Sequence, residues 1–319
     1  MKLGQIYDMG SMKRFCDAQS HTFADSESGT ILARQLTAVN PKIFEKKFPE
    51  LAFINAGIQA DNTGGYARRI QSLRLQEQGG FKTAGDASGN RGKISLAGED
   101  SFLKVIERQS ESTWSDSEVK EAELGNVNLP MRYIQAHNKI YMRELDEIGL
   151  IGKAGEGIAE GLLNYSGFVS SSAAGAIGTL SAQQMYDAYA SLITDQRNAV
   201  NNTSEYSATE IMTPVYAINT LAKTMLNTAN GSSSVLKALQ DNFPDVKFNG
   251  TFRADDVGGA SSTVAYSNNE DVMAMRVPVP LTIGEIIKVG SFDHKVDSKY
   301  RIAGLDVLED TGGRILTGL

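Results

Sequence analysis

The sequence of 319 residues is 41% apolar and 22% charged, which is the composition of an ordinary globular protein. Its formal net charge of −7 excludes an overall basic surface for nucleic acid, and its single cysteine, Cys16, excludes a disulfide framework and a multi-cysteine metal site. The first residues lack the apolar stretch of a signal peptide, and no segment reaches the roughly 18 consecutive apolar residues of a membrane helix. We therefore expect a soluble protein that is made or assembled inside a cell.

The first 60 residues divide into a polar arm and a helical segment. Residues 1–29 show no apolar periodicity, which predicts an arm that becomes ordered only against another surface. Thr30 is suited to cap a first helix, and Pro41 begins a second short helix that ends at Pro49.

Residues 61–108 predict a long two-stranded excursion. Two segments with strand-like character flank a glycine-rich tip at residues 77–92, and such a hairpin is only marginally stable alone in water. We therefore expect it to lie on another surface. Residues 64–93 contain six cationic and two anionic side chains, which gives a net charge of +4. The cationic residues are Arg68, Arg69, Arg74, Lys82, Arg91 and Lys93.

The segment at 115–124 predicts a short acidic helix. Ser115 and Glu118 have the spacing of a capping box, in which each side chain satisfies the backbone N–H of the other residue. Four carboxylates against one lysine give a net charge of −3. Two interpretations remain open: both segments are simply solvated, or the basic excursion docks on the acidic helix of a neighbouring copy. The carboxylates are those of Asp116, Glu118, Glu121 and Glu123.

Residues 129–149 predict a long amphipathic helix. The helix is predicted to open at Asn128-Leu129-Pro130, and Pro130 suits its first turn because the missing N–H has no partner there. A broad apolar face predicts a structural role for this helix. His137 has no second ligand at metal-binding spacing, so we interpret it as a surface or core histidine.

The second half of the chain changes from helical to strand-like periodicity. One helix is predicted to begin at a cap formed by Thr179 or Ser181, and another at Pro214; strands follow from Val246 onward. Residues 300–308 alternate as a strand, and residues 309–313 predict a hairpin turn that the last residues close.

No catalytic motif is present in the sequence. The glycine-rich segment 152–161 lacks the full dinucleotide fingerprint and follows a helix instead of a strand, so it is not a phosphate-binding loop. We predict no catalytic residue, no cofactor and no metal. The carboxylates of several turns are interpreted as solvated in preference to a cation site; they are Asp255, Asp256, Asp306, Glu309 and Asp310.

The order of these parts, with several short motifs, resembles the major capsid proteins of tailed bacteriophages with the Hong Kong 97-like fold, in a prophage-associated branch. The resemblance covers roughly residues 30–319. Its motifs are Trp114-Ser115 before a helix with Glu118 and Glu123, Glu156-Gly157-x-x-x-Gly161-Leu162-Leu163-Asn164, Pro214 after Ile211-Met212, Val264-Ala265-Tyr266 followed by Val277-Pro278, and the segment 300–307.

The resemblance implies an α+β Hong Kong 97-like capsid fold. Its implied parts are an N-terminal arm (1–29), a peripheral domain (30–60 and 109–159) with a spine helix (129–149), an extended loop (61–108), an axial domain (160–275) and a return to the peripheral strands (276–319).

The function implied by the resemblance is structural, without enzymatic activity or a cofactor. Copies would form hexamers and pentamers of an icosahedral virion shell, assembled in the host bacterial cytoplasm around double-stranded DNA that is confined without specific contacts. Portal, scaffolding or decoration proteins are implied partners, and a membrane is not. Some members cross-link a lysine of the extended loop to an asparagine, but neither Lys82 nor Lys93 has a residue-level match to that lysine.

Two rival interpretations remain open. An encapsulin-like compartment would have the same fold with an enzyme as cargo instead of DNA. A soluble α/β enzyme would use residues 77–92 as a flexible lid over a substrate, and it would form a small oligomer with a concave pocket.

Overall fold

The computed structural model describes residues 51–81, 93–125, 127–228 and 231–319, and its fold is α+β. The predicted arm and the predicted helices of residues 30–50 lie outside the described residues, as does most of the predicted tip. The helices of the described part are α1 (Ala52–Asn55), α2 (Asp116–Leu124), α3 (Leu129–Leu150), α4 (Ala182–Ala199), α5 (Val215–Lys223) and α6 (Val235–Asn242).

The described strands form three larger sheets and two hairpins. A five-stranded sheet has the order β5 (Val169–Ser172), β16 (Gly313–Thr317), β10 (Ser262–Tyr266), β6 (Glu210–Pro214) and β9 (Lys247–Thr251). A three-stranded sheet has the order β1 (Ala60–Asp61), β11 (Met273–Arg276) and β15 (Gly304–Val307). In a four-stranded sheet, β14 (Asp293–Ile302) pairs with β4 (Ile106–Ser115), β12 (Val279–Ile283) and β13 (Ile287–Val289). The hairpins are β2 (Arg69–Gly79) with β3 (Ile94–Lys104), and β7 (Met225–Thr228) with β8 (Gly231–Ser234).

Helix α3 is the predicted spine helix, and its limits agree with the sequence to within one residue. The side chain of Asn128 accepts the N–H of Met131 at 3.2 Å, and proline occupies the first turn as expected. The C-terminal part of the helix is buried. There Gly149 lies against the ring of Phe53 so closely that a Cβ would come within 2.6 Å of it, so glycine allows α1 to pack on the helix.

The central strands β6 and β10 of the five-stranded sheet are buried on both faces, and they separate two apolar clusters. Because side chains of a strand alternate between faces, Val264 and Tyr266 enter the cluster that contains the end of α3. Ala265, between them, enters the cluster formed by α4, α5 and α6. The sheet therefore joins the part of the chain that holds the spine helix to the part that holds the later helices.

The predicted hairpin at residues 309–313 is wrong. β15 pairs with β11, whereas β16 pairs with β5 and β10, so the two strands flanking this turn belong to different sheets. A short 3₁₀ turn at Asp310–Gly312 carries the chain between the sheets. The turn residues are compatible both with a hairpin and with a crossing between sheets. The pairing of β15 with β11 and of β16 with β10 selects the crossing. The domain limits stay predictions.

Within the described residues, no helix has both the length and the apolar character needed to cross a membrane.

Candidate functional site

The hairpin of β2 and β3 confirms the predicted two-stranded excursion and has two chemically different faces. Each strand has 11 residues, and the register pairs Arg69 with Lys104 and Gly79 with Ile94. Directly opposed residues share a face and successive residues alternate, so this register assigns every side chain to one of two faces.

One face carries a row of large, mostly exposed apolar side chains beside the exposed Gln71, Glu77 and Asp100, and we call it the open face. Its five large apolar side chains are each between 59% and 67% exposed. Leu73 and Leu75 lie over Gly98 on the opposite strand, where a Cβ would be 3.5 Å from each of them. A row of exposed apolar side chains on a two-stranded hairpin is typical of a surface that another protein covers. These side chains are Leu73, Leu75, Ile94, Leu96 and Phe102.

The other face contacts the body of the subunit near the hairpin base. Ile70 packs with Val105, Ala303 and the half-buried Leu103 in a small apolar cluster. Two residues further along β2, the hydroxyl of Ser72 donates a 2.7 Å hydrogen bond to the Asp306 carboxylate.

Asp306 is 3% exposed, so the prediction that it is a solvated turn carboxylate is wrong. Besides Ser72, it accepts a hydrogen bond of 2.9 Å from Nε of Arg276. Arg276 also forms an ion pair with Asp61 in the neighbouring strand β1. A buried carboxylate needs a cation or hydrogen-bond donors nearby, and both are supplied here by residues far away in sequence.

Arg74 was predicted to dock on a neighbouring copy, but its side chain binds its own subunit. Its guanidinium donates two hydrogen bonds of 3.4 Å to the two carboxylate oxygens of Asp310, and a third to the backbone carbonyl of Val307. The hydroxyl of Tyr165 donates to the same Asp310 carboxylate at 3.1 Å. The side chain of Arg74 points to its own body because it lies on the same face of β2 as Ser72.

The other predicted cationic residues have different placements. Arg68, Arg69 and Lys93 are exposed and remain candidates for contacts with a neighbour. Lys82 and Arg91 lie outside the described residues.

The acidic helix α2 forms as predicted, with the capping box of Ser115 and Glu118 at its start. None of its nine residues is buried, and Leu124 at its end is 89% exposed. Glu121 and Glu123 are exposed on this helix. Helix α2 is therefore a largely solvent-facing acidic surface in the single subunit.

Asp116 also has a partner in its own subunit. Its carboxylate is 2.7 Å from Nε2 of His294 in β14, and this hydrogen bond lowers the pKa of Asp116 below its usual value. The imidazole of His294 stacks at 6.4 Å on Trp114, which in turn stacks at 5.0 Å on Tyr133 of the spine helix. These contacts fix the start of the acidic helix to the four-stranded sheet.

His137 is a buried histidine with hydrogen-bond partners on both ring nitrogens. Nε2 is 2.9 Å from the hydroxyl of Ser112, and Nδ1 is 2.7 Å from that of Ser298. It therefore joins the spine helix to β4 and β14. The sequence does not reveal these partners, because a lone serine carries no recognisable spacing to a histidine. In the part of the chain that the structure describes, no group of three or more His, Cys, Asp or Glu side chains is placed to hold a metal ion.

An α+β subunit with a long spine helix and an uncovered hairpin defines the class of Hong Kong 97-like shell proteins. The chain belongs to the major capsid protein family, whose model matches residues 82–318. It is similar to the protein in the capsid of Myoviridae phage XM1, with 45% identity, a TM-score of 0.81 and coverage of 92% of this chain and 100% of that one. It is a major capsid protein of a tailed phage, a structural protein of the virion, and the predicted fold and family are confirmed.

More distant structures share only the fold. The capsid of a native GTA particle matches with 12% identity and a TM-score of 0.68, covering 93% of this chain and 99% of that one. The virus-like particle from Pyrococcus furiosus matches with 11% identity and a TM-score of 0.50, covering 82% and 91%. Among curated proteins, none matches this chain.

Proposed function

We propose that copies of this chain assemble as hexamers and pentamers into an icosahedral shell, and that the β2–β3 hairpin of each copy docks on a neighbour through its open face. The observation that carries the proposal is the uncovered row of five large apolar side chains. Full burial of such a side chain contributes about 1.5–3 kcal/mol, so covering the row would stabilise an assembly considerably.

The receiving surface in this proposal is the acidic helix α2 of the neighbour, with the adjoining start of α3. The hairpin base presents the exposed Arg68 and Arg69, and α2 presents the exposed Glu121 and Glu123, so the charges are complementary. Two exposed apolar side chains belong to the same surface: Leu124, which follows Glu123 at the end of α2, and Met131 in the first turn of α3, with 89% and 50% exposure. Of the other residues proposed for the docking contact, Asp116, Glu118 and Lys93 are described, and Lys82 and Arg91 are not.

A hairpin that docks on a different surface of the next copy makes a head-to-tail contact. Such contacts generate closed rings when the rotation between copies closes, and rings of six and five are the units that an icosahedral shell requires. Each contact can be weak because many act together in a shell.

The cargo in this proposal is double-stranded DNA, held by confinement and not by specific binding. A chain with a net charge of −7 has no overall basic surface to grip phosphates, and a shell wall does not need one. Assembly would take place in the cytoplasm of the host bacterium. Portal, scaffolding or decoration proteins would be its further partners, and no catalytic residue or cofactor takes part.

A paired charge insertion tests the docking proposal. Leu75→Asp with Leu96→Asp replaces two members of the apolar row by carboxylates, on a face that already carries Glu77 and Asp100. We expect closed shells to be lost, because the row loses apolar area and burying unpaired charges is costly. The matched control is Gln78→Asp with Ser95→Asp, since these two residues oppose each other on the other face and are exposed. Circular dichroism would report subunit folding, and sedimentation with cryo-electron microscopy would report shells. Closed shells from the Leu75 and Leu96 variant would overturn the proposal.

The encapsulin-like alternative is kept because the virus-like particle from Pyrococcus furiosus shares the fold. Nuclease treatment of purified particles, followed by extraction of their contents, distinguishes the two cargoes. Protected double-stranded DNA is the result we expect, and a packaged enzyme without DNA would favour the alternative. A small oligomer under all assembly conditions would instead favour the enzyme with a lid at residues 77–92.

A further inference from the structure

Beyond the apolar cluster of Ile70 at its base, the hairpin is held to its own subunit mainly at two carboxylates, which we call the two-acid anchor (Asp306 and Asp310). Ser72 donates to Asp306 at 2.7 Å, and Arg74 donates to Asp310 at 3.4 Å. Ser72 and Arg74 are two residues apart on the same face of β2, so the two contacts are separated by about 7 Å along the strand.

Two polar contacts along β2 fix the direction of the hairpin relative to its subunit, whereas a single contact would allow the hairpin to rotate about it. Beyond Arg74 the open face of the hairpin is uncovered, with Leu75 64% and Leu96 67% exposed. A small rotation at the base therefore displaces the apolar side chains near the tip by a larger distance. Docking on a neighbour needs these side chains in one place, because ordering a mobile hairpin would cost conformational entropy at each contact.

The two acids connect the hairpin to different parts of the body. Asp306 lies in β15 of the three-stranded sheet and also binds Arg276. Asp310 lies in the turn between that sheet and the five-stranded sheet, and it also binds Tyr165. The hairpin is thus bound both to the three-stranded sheet and to the turn that connects this sheet with the five-stranded sheet.

We infer that Asp306 and Asp310 are positioning residues that set the angle at which the hairpin leaves its own subunit, and that this angle determines whether shells close. The inference rests on the proposed docking of the hairpin on a neighbouring copy. The contacts that β2 makes with the two acids serve assembly, while the contacts of the acids with Arg276 and Tyr165 serve the subunit itself.

A double substitution removes the hairpin side of the anchor, together with the hydrogen bond from Arg74 to the Val307 carbonyl. Ser72→Ala with Arg74→Met leaves Asp306 bonded to Arg276 and Asp310 bonded to Tyr165, so neither carboxylate is left without a donor. Ser72→Ala alone is the milder second variant. The matched control is Ser101→Ala, because Ser101 opposes Ser72 and its buried hydroxyl has no hydrogen-bond partner among the described residues.

The angle is measured in the unassembled chain with spin labels at Ser95→Cys and Gln135→Cys, in a Cys16→Ser background. Both positions are exposed, one on the hairpin and one on the spine helix. We expect the distance distribution to broaden in the anchor variants and to stay narrow in Ser101→Ala. A merely structural role would lower the melting temperature without broadening this distribution in the folded chain.

Assembly is then measured by the yield of closed shells in cryo-electron microscopy. We expect the double anchor variant to give about tenfold fewer closed shells than Ser101→Ala, because a small loss at each contact is repeated at every copy in the shell. An unchanged distance distribution, or closed shells at the parental yield, would overturn the inference. If the double anchor variant forms normal shells but the Leu75→Asp and Leu96→Asp variant does not, the anchor inference is wrong and the docking proposal stands. If both sets of variants form normal shells, the docking proposal fails with it.

Discussion

The backbone N–H of Phe53 donates a 2.8 Å hydrogen bond to the buried carboxylate of Asp146, which lies 93 positions later in the sequence. The same carboxylate is 3.3 Å from Nε of Arg253. One side chain of the spine helix therefore joins α1 to the 3₁₀ turn at Phe252–Ala254, which follows β9 of the five-stranded sheet.

Asp146→Ala is expected to destabilise the subunit by about 3 kcal/mol, because it leaves the backbone N–H of Phe53 without its acceptor and removes the buried one of the two carboxylates that pair with Arg253. The side chains of Asp146 and Arg253 are 2% and 12% exposed. The matched control is Glu147→Ala, since Glu147 also pairs with Arg253, at 3.5 Å, but is 33% exposed. We expect the control to cost under about 1 kcal/mol. Urea unfolding of unassembled chains measures both, and equal losses would contradict the assignment.

The contact between His294 and Asp116 predicts a dependence on pH. Because the hydrogen bond from His294 lowers the pKa of Asp116, its stabilisation is present above the usual value of 3.8 and is lost as the pH falls through the lower, folded-state pKa. His294→Ala should raise the pKa of Asp116 towards 3.8 in an NMR titration of the carboxyl carbon. Lys120→Ala should move it less, because Lys120 acts on Asp116 only through space. An unchanged titration in His294→Ala would refute this cause.

The charge complementarity of the proposed docking predicts a rescue. Arg68→Glu with Arg69→Glu should slow assembly, and the loss should be greater at low salt because screening is weaker there. Glu121→Lys with Glu123→Lys should do the same, and the two pairs combined should restore assembly, because the charges are then exchanged. Light scattering at two ionic strengths measures the rates. If the combined variant is slower than either pair alone, these residues do not face each other across the contact.

Local features of the sequence were predicted well because local chemistry produces them. The capping box at Ser115 and Glu118 and the start of α4 after Ser181, one of the two predicted caps, each satisfy N–H groups within three residues. The paired strands of the hairpin were predicted from alternation within short segments.

The predictions that the structure corrects concern side chains whose partners are distant in the sequence. Arg74 has the sequence signature of a solvated cation, yet its register on β2 points it to Asp310. Asp306 looks like a turn carboxylate, but its partners Ser72 and Arg276 come from two other strands. The residues next to Arg74 and Asp306 in the sequence give no indication of these distant partners.

The sequence by itself determined the class of fold, the long spine helix, the hairpin and the charges of its two proposed contact surfaces. Only the tertiary structure decided which face of the hairpin is open, which of its cations are available and how its base is held. The reason is that helix caps and strand alternation act over a few residues, whereas Ser72 and Asp306 meet across 234 positions. Their contact exists only when the sheets around it have formed.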